Sequence, residues 1–378
     1  MDQSEHQFPS VEVCAGAGGQ AVGLHGAGFR HRALVELDAD ACATLRKNVL
    51  ANPEWDGCEV LQRDLKSFEP ADLGCVPEEL ALLSGGVPCP PFSSAGKRLG
   101  REDDRDLFPV MLKWIDHLRP RAVMIENVKN LMERKFDDYR EEIAEDIQWF
   151  GYKVYGWNIL KASDFGVPQY RPRAIFVAIR KDVRAEFHWP DPAGYASLSV
   201  ADALVSSMYR RFRDSGEPGW NDGYERWLGK AESGKAAPTL VGGSKKHGGA
   251  DLGPTRAKWA WRQLGVDGTG VAEEPGDLKH PERDLYGPLG PKLTVSQAAI
   301  LQGFPEGWKF SGRKTAAYRQ VGNAFPPPVA QAVGESIMAT LRASDAASAG
   351  QEKARALVEP RVAPRRDRRD DFCGTVVS

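Results

Sequence analysis

The sequence offers no spacing of cysteine and histidine that suits a metal site. Its six cysteines are scattered along the chain without a CxxC pair: Cys14, Cys42, Cys58, Cys75, Cys89 and Cys373. This pattern argues against structural zinc and is typical of a reduced, cytoplasmic protein. No apolar run approaches the roughly 18 residues that a transmembrane helix needs, and the polar N-terminus does not resemble a signal peptide. The sequence therefore predicts a cytoplasmic protein without a metal or a membrane segment.

The chain also lacks an excess of charge of either sign. Its 50 lysines and arginines stand against 52 aspartates and glutamates, which gives a formal net charge of −2. No global positive field attracts a polyanion, so a nucleic-acid partner would need a local basic face. With 42% hydrophobic residues over 378 positions, the composition is globular. The length allows two domains, or one large domain with an insertion.

A glycine turn near the N-terminus follows a short apolar strand. Val11–Cys14 has a strand pattern, and the run Ala-Gly-Ala-Gly-Gly after it leads into a helical pattern. Gly16 and Gly18 are spaced as in dinucleotide-binding turns. Carboxylates follow at the ends of the next two predicted strands, at Glu36 and Asp64, and Asp38 is expected to cap the helix that follows Glu36. Because an acidic residue at a strand end can accept hydrogen bonds from a ribose, the pattern favours an adenosine-containing cofactor over an ordinary βα turn.

Cys89 lies on a stiff loop after another predicted strand. The apolar run 80–83 ends in two glycines, and prolines flank the cysteine closely. Proline fixes φ and removes backbone donors, and α/β proteins place their chemistry on loops at the carboxyl ends of strands. A reactive thiol is the functional interpretation. A buried, inert structural cysteine is the alternative.

Charged residues accompany two later strands. Glu126 follows a predicted strand and would face the same crevice as Cys89, although a glutamate in this place is often only a helix cap. Arg171 and Arg173 precede a further apolar strand, and two positions apart in an extended chain they point to one face. Two cations near the cysteine would favour its thiolate and bind an anion or a carbonyl. A pair of surface arginines is the alternative.

From residue 186 to about 290 the sequence lacks clear periodicity and is rich in glycine, proline, tryptophan and basic residues. Basic residues are interleaved with aromatics in 210–213 and 256–262, and Lys245 and Lys246 lie in a glycine-rich run. Such segments, interpreted as loops, suit contacts with phosphates and bases. A flexible linker is the alternative for the glycine runs.

Regular structure returns beyond residue 290. Thr294 and Gln297 have the spacing of a capping box, and Gly303 is expected to stop the helix that they open. The prolines at 326–328 predict the start of another helix, which should run to about residue 341. The Ala/Ser-rich and then Arg/Asp-rich sequence beyond residue 343 predicts a disordered tail.

Seven segments, in this order, resemble the motifs of DNA cytosine-5 methyltransferases of the bacterial restriction-modification type. They are Ala15–Gly19, Glu36–Asp38, Gly86–Ser93, Glu126–Val128, Gln169–Arg173, Leu301–Pro305 and Gly322–Ala324. The resemblance implies an α/β protein with a Rossmann-like, S-adenosylmethionine-dependent methyltransferase sheet and a smaller, irregular target-recognition lobe. The implied parts are an N-terminal extension (1–9), a catalytic cofactor-binding domain (10–187), a target-recognition domain (188–312), a C-terminal segment that returns to the catalytic domain (313–342) and a disordered tail (343–378).

The resemblance also implies catalytic roles. It implies methyl transfer from S-adenosylmethionine to carbon 5 of a flipped-out cytosine in a specific duplex DNA sequence, through a covalent bond between Cys89 and carbon 6. Glu126 resembles the acid that reads the cytosine. Arg173, with Arg171 beside it, resembles the arginine that contacts the base carbonyl.

For the cofactor, Glu36 resembles the ribose ligand, Asp64 the adenine acceptor and Asn323 the residue that closes the pocket. The other residues expected to bind the cofactor are Cys14, Ala15, Gly16, Gly18, Gly19, Leu37, Leu65, Pro88 and Ala324. The expected DNA contacts are Ser93, Lys97, Arg98, Arg101, Lys245, Lys246 and Arg256. One departure concerns Cys14, because the family commonly has a phenylalanine there whose ring stacks near the adenine.

Three other functions are compatible with parts of the sequence. Exocyclic-amine methyltransferases have a similar Pro-Pro-aromatic loop, but they place Asp, Asn or Ser where Cys89 stands, and a thiol accepts hydrogen bonds poorly. A tRNA cytosine-5 methyltransferase shares the catalytic residues, and a catalytically silent DNA-binding module is the third alternative. The resemblance implies double-stranded DNA as the partner and a monomer without membrane association. It leaves open the recognition sequence and a cognate restriction endonuclease.

Overall fold

The computed structural model describes residues 8–88, 106–232, 234–242 and 250–358, with only the backbone described for 352–358. Within these residues a seven-stranded sheet has the order β3-β2-β1-β4-β5-β7-β6. The strands are β1 (Phe8–Val13), β2 (Phe29–Glu36), β3 (Glu59–Gln62), β4 (Leu82–Gly85), β5 (Ala122–Val128), β6 (Tyr152–Lys161) and β7 (Pro172–Arg180). Strands β1 to β5 are parallel, and β7 is antiparallel to both of its neighbours. The carboxyl ends of five strands and the start of β7 therefore share one edge.

Helices cover both faces of the sheet and form the lobe beyond it. They are α1 (Gly19–Gly26), α2 (Ala39–Val49), α3 (Phe108–Leu118), α4 (Asp137–Trp149), α5 (Val200–Arg213), α6 (Trp220–Ala231), α7 (Thr255–Gln263), α8 (Pro281–Asp284), α9 (Val295–Gln302), α10 (Lys314–Asn323) and α11 (Pro327–Val358). Two predicted caps are present: Asp38 accepts from two amides of α2, and Thr294 forms a reciprocal capping box with Gln297. Of the helices described, none is long and apolar enough to cross a bilayer.

Each face of the sheet packs against a different set of helices. Strand residues such as Met124 and Val177 pack with α1 and α11 on one face, whereas Val123 and Phe176 pack with α3 and α4 on the other. All four of these side chains are completely buried. Their apolar alternation along β5 and β7 is the reason that the predicted α/β sheet forms with helices on both sides.

The segment expected to lack regular structure contains helices, which corrects the sequence-based interpretation of residues 186–290. Helix α5 begins with a capping box between Ser199 and Asp202, a signal that is legible in the sequence. Within the run 210–213, read as a phosphate-binding loop, Arg211 and Phe212 are buried. The Arg211 guanidinium donates to the carbonyl oxygens of Lys292 and Asp284, so this arginine holds the lobe together.

The C-terminal boundaries also differ from the prediction. Helix α11 continues to Val358, so residues 343–358 are helical rather than part of a disordered tail. Their alanines favour helix, and two contacts hold this stretch to the sheet. Arg121 donates to the Asp345 carboxylate at 3.1 Å, and the buried Ser344 hydroxyl accepts from the Arg184 amide at 3.1 Å. At the other end β1 already begins at Phe8, inside the predicted extension 1–9.

Candidate active site

A cavity of about 420 Å³ opens at the carboxyl edge of the sheet. It is bounded by the ends of β1, β2, β4 and β5 and by the end of α10. Eleven of the residues predicted to bind the cofactor line it: Cys14, Ala15, Gly16, Gly19, Glu36, Leu37, Asp64, Leu65, Pro88, Asn323 and Ala324. Glu126 lines it as well. The fold thus brings residues from more than 300 positions apart around one space of small-molecule size.

Glu36 fixes the glycine turn to the end of β2. Its Oε2 accepts from the Gly16 amide at 2.7 Å, and its Oε1 accepts from the amides of Leu37 and Asp38 at 2.8 Å each. A carboxylate has about four acceptor positions. Three are used here, so Glu36 can accept one further hydrogen bond from a hydroxyl in the cavity.

Gly18 turns away from the cavity, in contrast to its predicted role. Its φ of 89° is in the left-handed region, and a Cβ at this position would lie 2.9 Å from both Leu45 Cδ2 and Trp308 Cζ2. The Trp308 indole donates to the Ala17 carbonyl at 3.1 Å. Gly18 is therefore required for packing behind the turn, and Ala17 takes its place in the lining.

Cys14 is a neutral thiol in the wall of the cavity. Its φ of 52° is unusual for a residue other than glycine. Burial, followed by the charge of Glu36, raises the pKa of its thiol strongly. Cys14 therefore contributes a small apolar surface rather than a charge.

Glu126 and Arg173 form an ion pair at the other end of the cavity. Arg173 Nε lies 2.8 Å from Glu126 Oε1, with both side chains less than 15% exposed. The antiparallel pairing of β5 and β7, in which Val128 faces Arg173, places the two side chains on one face. Burial raises the pKa of the Glu126 carboxyl, and Arg173 opposes this rise. The site can therefore hold a proton on a carboxyl next to a cation.

The loop that carries Cys89 starts beside this pair. The Asn127 side chain donates to the Val87 carbonyl at 2.9 Å, which ties the end of β4 to β5. Pro88 lines the cavity, and Cys89 follows it directly in the sequence but lies outside the described residues. A Cβ on Gly86 would lie 3.1 Å from Glu126 Oε2, so the backbone here packs against the carboxyl.

Replacing Gly86 with alanine should therefore impair activity without unfolding the protein. The added methyl group displaces the Glu126 carboxyl by a few tenths of an ångström, and misplaced catalytic groups lose rate steeply, so we expect kcat to fall about tenfold or more. Gly229→Ala is the matched control, because a Cβ there meets nothing within 4 Å. Equal kcat values for the two variants would contradict the predicted contact.

Arg171 has a different role from the predicted one. Its guanidinium donates to three main-chain carbonyls, those of Leu240, Gly322 and Ala324, at 2.6 to 2.9 Å. Gln169 acts similarly, because its amide oxygen accepts from the Leu240 amide at 2.7 Å. The Arg171 side chain is 1% exposed and does not line the cavity. Arg171 therefore positions the wall of the cavity instead of contacting a base.

Removing the Arg171 side chain should destabilise the protein. Arg171→Ala leaves the Leu240 and Gly322 carbonyls without a donor, whereas Ala324 still accepts from Gln302. We therefore expect the free energy of unfolding to fall by about 2 kcal/mol or more. Arg171→Lys should recover only part of this loss, because one ammonium cannot reproduce the planar fork. Urea unfolding measures both, with the exposed Arg134→Ala as control. A loss within about 0.5 kcal/mol, as at ordinary surface sites, would contradict this role.

Comparison with known proteins identifies the family. The sequence model of the family C-5 cytosine-specific DNA methylase matches residues 8–339. The chain belongs to this family. It is 49% identical to the Type II methyltransferase M.NaeI of Lentzea aerocolonigenes, over 88% of this chain and 75% of that protein. It is 42% identical to the Type II methyltransferase M.NgoMIV of Neisseria gonorrhoeae, over 89% of this chain and 99% of that protein. The predicted identity as a DNA cytosine-5 methyltransferase of the restriction-modification type is confirmed.

Solved structures agree with the fold of the methylase. A prophage-encoded DNA modification methyltransferase of E. coli superposes with a TM-score of 0.59 at 19% identity, over 89% of this chain and all of that chain. A DNMT2 variant from Spodoptera frugiperda superposes with a TM-score of 0.58 at 16% identity, over 88% of this chain and all of that chain. The predicted methyltransferase fold is thereby confirmed.

Most of the predicted DNA contacts of the methylase fall outside the described residues. These are Ser93, Lys97, Arg98, Arg101, Lys245 and Lys246. Arg256 is described and lies exposed on α7, where Trp259 one turn further on is 64% exposed. Trp261 on the same helix is fully buried, and Lys258 pairs with Asp251 at 2.7 Å. Arg256, Trp259 and Arg262 are therefore the members of this basic and aromatic run that remain open to a partner.

Among the cavity residues that were not predicted from the sequence are Glu12, Gln20 and Arg319. Glu12 and Gln20 line the cavity from β1 and α1, and Arg319 lines it one turn before Asn323 on α10. A signal existed for Glu12, which is a charged residue between two valines of a strand that is buried in the sheet. The sequence carries no comparable signal for Gln20 or Arg319, since both lie in ordinary helical patterns.

Proposed function

We propose that this methylase transfers a methyl group from S-adenosylmethionine to carbon 5 of a cytosine flipped out of a specific duplex DNA sequence, through a transient bond between Cys89 and carbon 6. The observation that supports this most is the Glu126–Arg173 pair, because its Glu126 lines the same cavity as Glu36 and as Gly86 and Pro88 at the start of the Cys89 loop. One cavity could thus hold the cofactor and the base in contact.

The described residues fit S-adenosylmethionine. Glu36 has one acceptor position left for a ribose hydroxyl, Asp64 and Leu65 lie where an adenine edge and face would be bound, and Asn323 borders the opening. Several carboxylates in the lining suit a ligand that carries positive charge. Bound there, the cofactor supplies an electrophilic methyl group on a sulfonium.

The protein's own groups would activate the base in a fixed order of steps. The Cys89 thiolate adds to carbon 6, which makes carbon 5 nucleophilic. As electron density builds on the ring, protonated Glu126 donates to N3 and Arg173 donates to O2. Each donor aimed at developing charge is worth several kcal/mol. After carbon 5 has gained the methyl group, a base removes the C5 proton and elimination frees the Cys89 sulfur.

The base reaches this site only after it leaves the DNA stack, which costs a few kcal/mol. We infer that residues 188–312 supply the recognition surface, with Arg256 and Trp259 of α7 contacting the duplex, and that residues 10–187 and 313–342 form the catalytic domain. The enzyme would act in the cytoplasm, as its scattered cysteines suggest, and as a monomer. A restriction endonuclease cutting the same sequence would be its counterpart in the cell.

Trapping with fluorinated DNA tests the proposal. A duplex library containing 5-fluorocytosine, incubated with the methylase and S-adenosylmethionine, should give a protein–DNA adduct that survives denaturing electrophoresis. Fluorine on carbon 5 cannot be removed by a base as a proton is, so the elimination that breaks the bond between the Cys89 sulfur and carbon 6 is blocked. Unmodified DNA and the Cys89→Ala variant should give none. Trapping of fluorinated tRNA instead of DNA would favour a tRNA methyltransferase. Absence of any adduct would favour amine methylation or a silent binding module.

A further inference from the structure

Glu12 is a buried carboxyl that no role described so far explains. It lies in β1 between Val11 and Val13, it is 1% exposed, and its Oε2 has no hydrogen-bond partner among the described residues. The hydroxyl of Ser84, opposite Glu12 on β4, also lacks a partner there. Unsatisfied groups of this kind are costly, which points to a ligand that completes them.

The order of the strands places Glu12 at the middle of the cavity. Strand β1 lies between β2, which ends in Glu36, and β4, which leads through Gly86 towards Glu126 on β5. Glu12, Glu36 and Glu126 all line the one cavity. The carboxyls of Glu36 and Glu126 both act on the charge of Glu12, as expected for a group between them.

On the proposed function, the middle of the cavity is where the methyl group changes its bond. The adenosine end would be held at Glu36 and the cytosine at Glu126, so Glu12 on β1, between them, would be the lining carboxyl nearest to the sulfur that gives up the methyl group. That sulfur carries a positive charge in the donor. When its bond to the methyl carbon breaks, the electron pair of that bond stays on sulfur and the product is a neutral thioether.

We propose that Glu12 is a specificity-determining residue that favours the positively charged methyl donor over the neutral thioether product. An unpaired buried carboxyl gains a counter-charge when the donor binds and gains none from the product. The enzyme would thereby release the product after each transfer and avoid inhibition by it. The inference rests on the proposed function, because it needs S-adenosylmethionine in this cavity.

The surrounding charges are consistent with this role. Burial raises the pKa of the Glu12 carboxyl, Glu36 and Glu126 raise it further, and the neighbouring Gln20 amide partly offsets the rise. Among the described lining residues six carboxyls face two arginines: Glu12, Glu36, Asp38, Asp40, Asp64 and Glu126 against Arg63 and Arg319. A cationic ligand relieves this repulsion and stabilises the ionised form of Glu12, whereas a neutral ligand does neither.

Titration calorimetry with the full-length protein tests the inference. S-adenosylmethionine and S-adenosylhomocysteine are titrated separately into the wild type and into Glu12→Gln, which keeps the size and polarity of the side chain. Since an opposite charge nearby is worth about one pKa unit or more, we expect Glu12→Gln to bind the donor about tenfold more weakly. Product affinity should change much less, so the dissociation constant for the product divided by that for the donor should fall. Glu59→Gln, at an exposed position on β3, should leave the ratio unchanged.

The result that would overturn the inference is an equal loss for donor and product, which would make Glu12 a structural residue only. A measurement on the wild type guards against a misfolded variant. An analogue with an ammonium in place of the sulfonium should bind more tightly than the thioether, and equal binding would overturn the inference. If the wild type binds none of these compounds, the cofactor assignment itself fails. If fluorinated DNA is trapped but the ratio does not respond to Glu12→Gln, only the role of Glu12 fails.

Discussion

Replacing Cys89 with alanine should abolish methyl transfer while leaving S-adenosylmethionine binding intact. In the proposed mechanism the thiolate converts carbon 5 from a poor nucleophile into an enamine-like one, so the other residues would have nothing to stabilise once it is absent. Loss of a covalent nucleophile typically costs several orders of magnitude, and we expect a fall in kcat of at least about 10³-fold. Transfer of tritium-labelled methyl groups to DNA under single-turnover conditions measures this directly.

The binding measurement makes the Cys89 result interpretable. Apart from Pro88, the residues predicted to hold the cofactor lie outside the loop that is changed. The dissociation constant for S-adenosylmethionine should therefore stay within about twofold, well under the tenfold that 1.4 kcal/mol produces. Cys75→Ala, a change at a partly buried thiol outside the cavity, serves as the control and should keep full activity. Turnover near the wild-type level in Cys89→Ala would remove the cysteine from the mechanism.

Two substitutions at Glu126 should distinguish the loss of its hydrogen-bond donor from the loss of its side-chain shape. Glu126→Ala leaves Arg173 buried without its partner and removes the donor to N3, so we expect kcat to fall by about 10²- to 10³-fold. Glu126→Gln keeps an N–H donor at nearly the same place and should retain more activity than the alanine variant. Glu133→Gln, at an exposed position a few residues further on, is the matched control.

The pH profile of Glu126→Gln gives the sharper comparison. Burial raises the pKa of Glu126, and the acid works only while it is protonated, that is, below its pKa. Wild-type activity should therefore decline as the pH rises through that value. The amide in Glu126→Gln cannot ionise, so this alkaline decline should disappear, while the acidic limb set by the Cys89 thiolate stays. An unchanged alkaline limb in the glutamine variant would assign the decline to another group.

Most of the sheet and of the cavity lining could be predicted because the sequence signals for them are local. Glycines at a strand end, carboxylates after successive strands and an apolar alternation of residues are all readable within about 20 positions. Asp38 caps α2 and Thr294 caps α9, as predicted. Arg171 shows where prediction from local spacing fails. Its spacing from Arg173 suggested one shared face, but residue 171 precedes β7, and its guanidinium binds carbonyls from segments 69 to 153 positions away.

The recognition lobe was less predictable because its helices are stabilised by partners distant in sequence. Arg211 looks like a phosphate ligand until the carbonyls of Asp284 and Lys292 surround it. The end of α11 was misjudged for the same reason, since an alanine-rich stretch is helical here only with Arg121 and Arg184 to anchor it. Glu12 had a readable signal, a charge in a buried strand, whose meaning depends on the cavity above it.

The contacts of Gln169 and Arg171 set a rule for building hybrid enzymes. Both side chains bind the main chain of Leu240, which lies within the lobe 188–312, and Arg171 also binds Gly322 and Ala324 in the cavity wall. A graft that imports the lobe of a relative must therefore present a backbone carbonyl and amide at the position of Leu240. A graft without them would break the tie between the lobe and the cavity wall, and the hybrid would bind the methyl donor less well and would lose its new sequence preference.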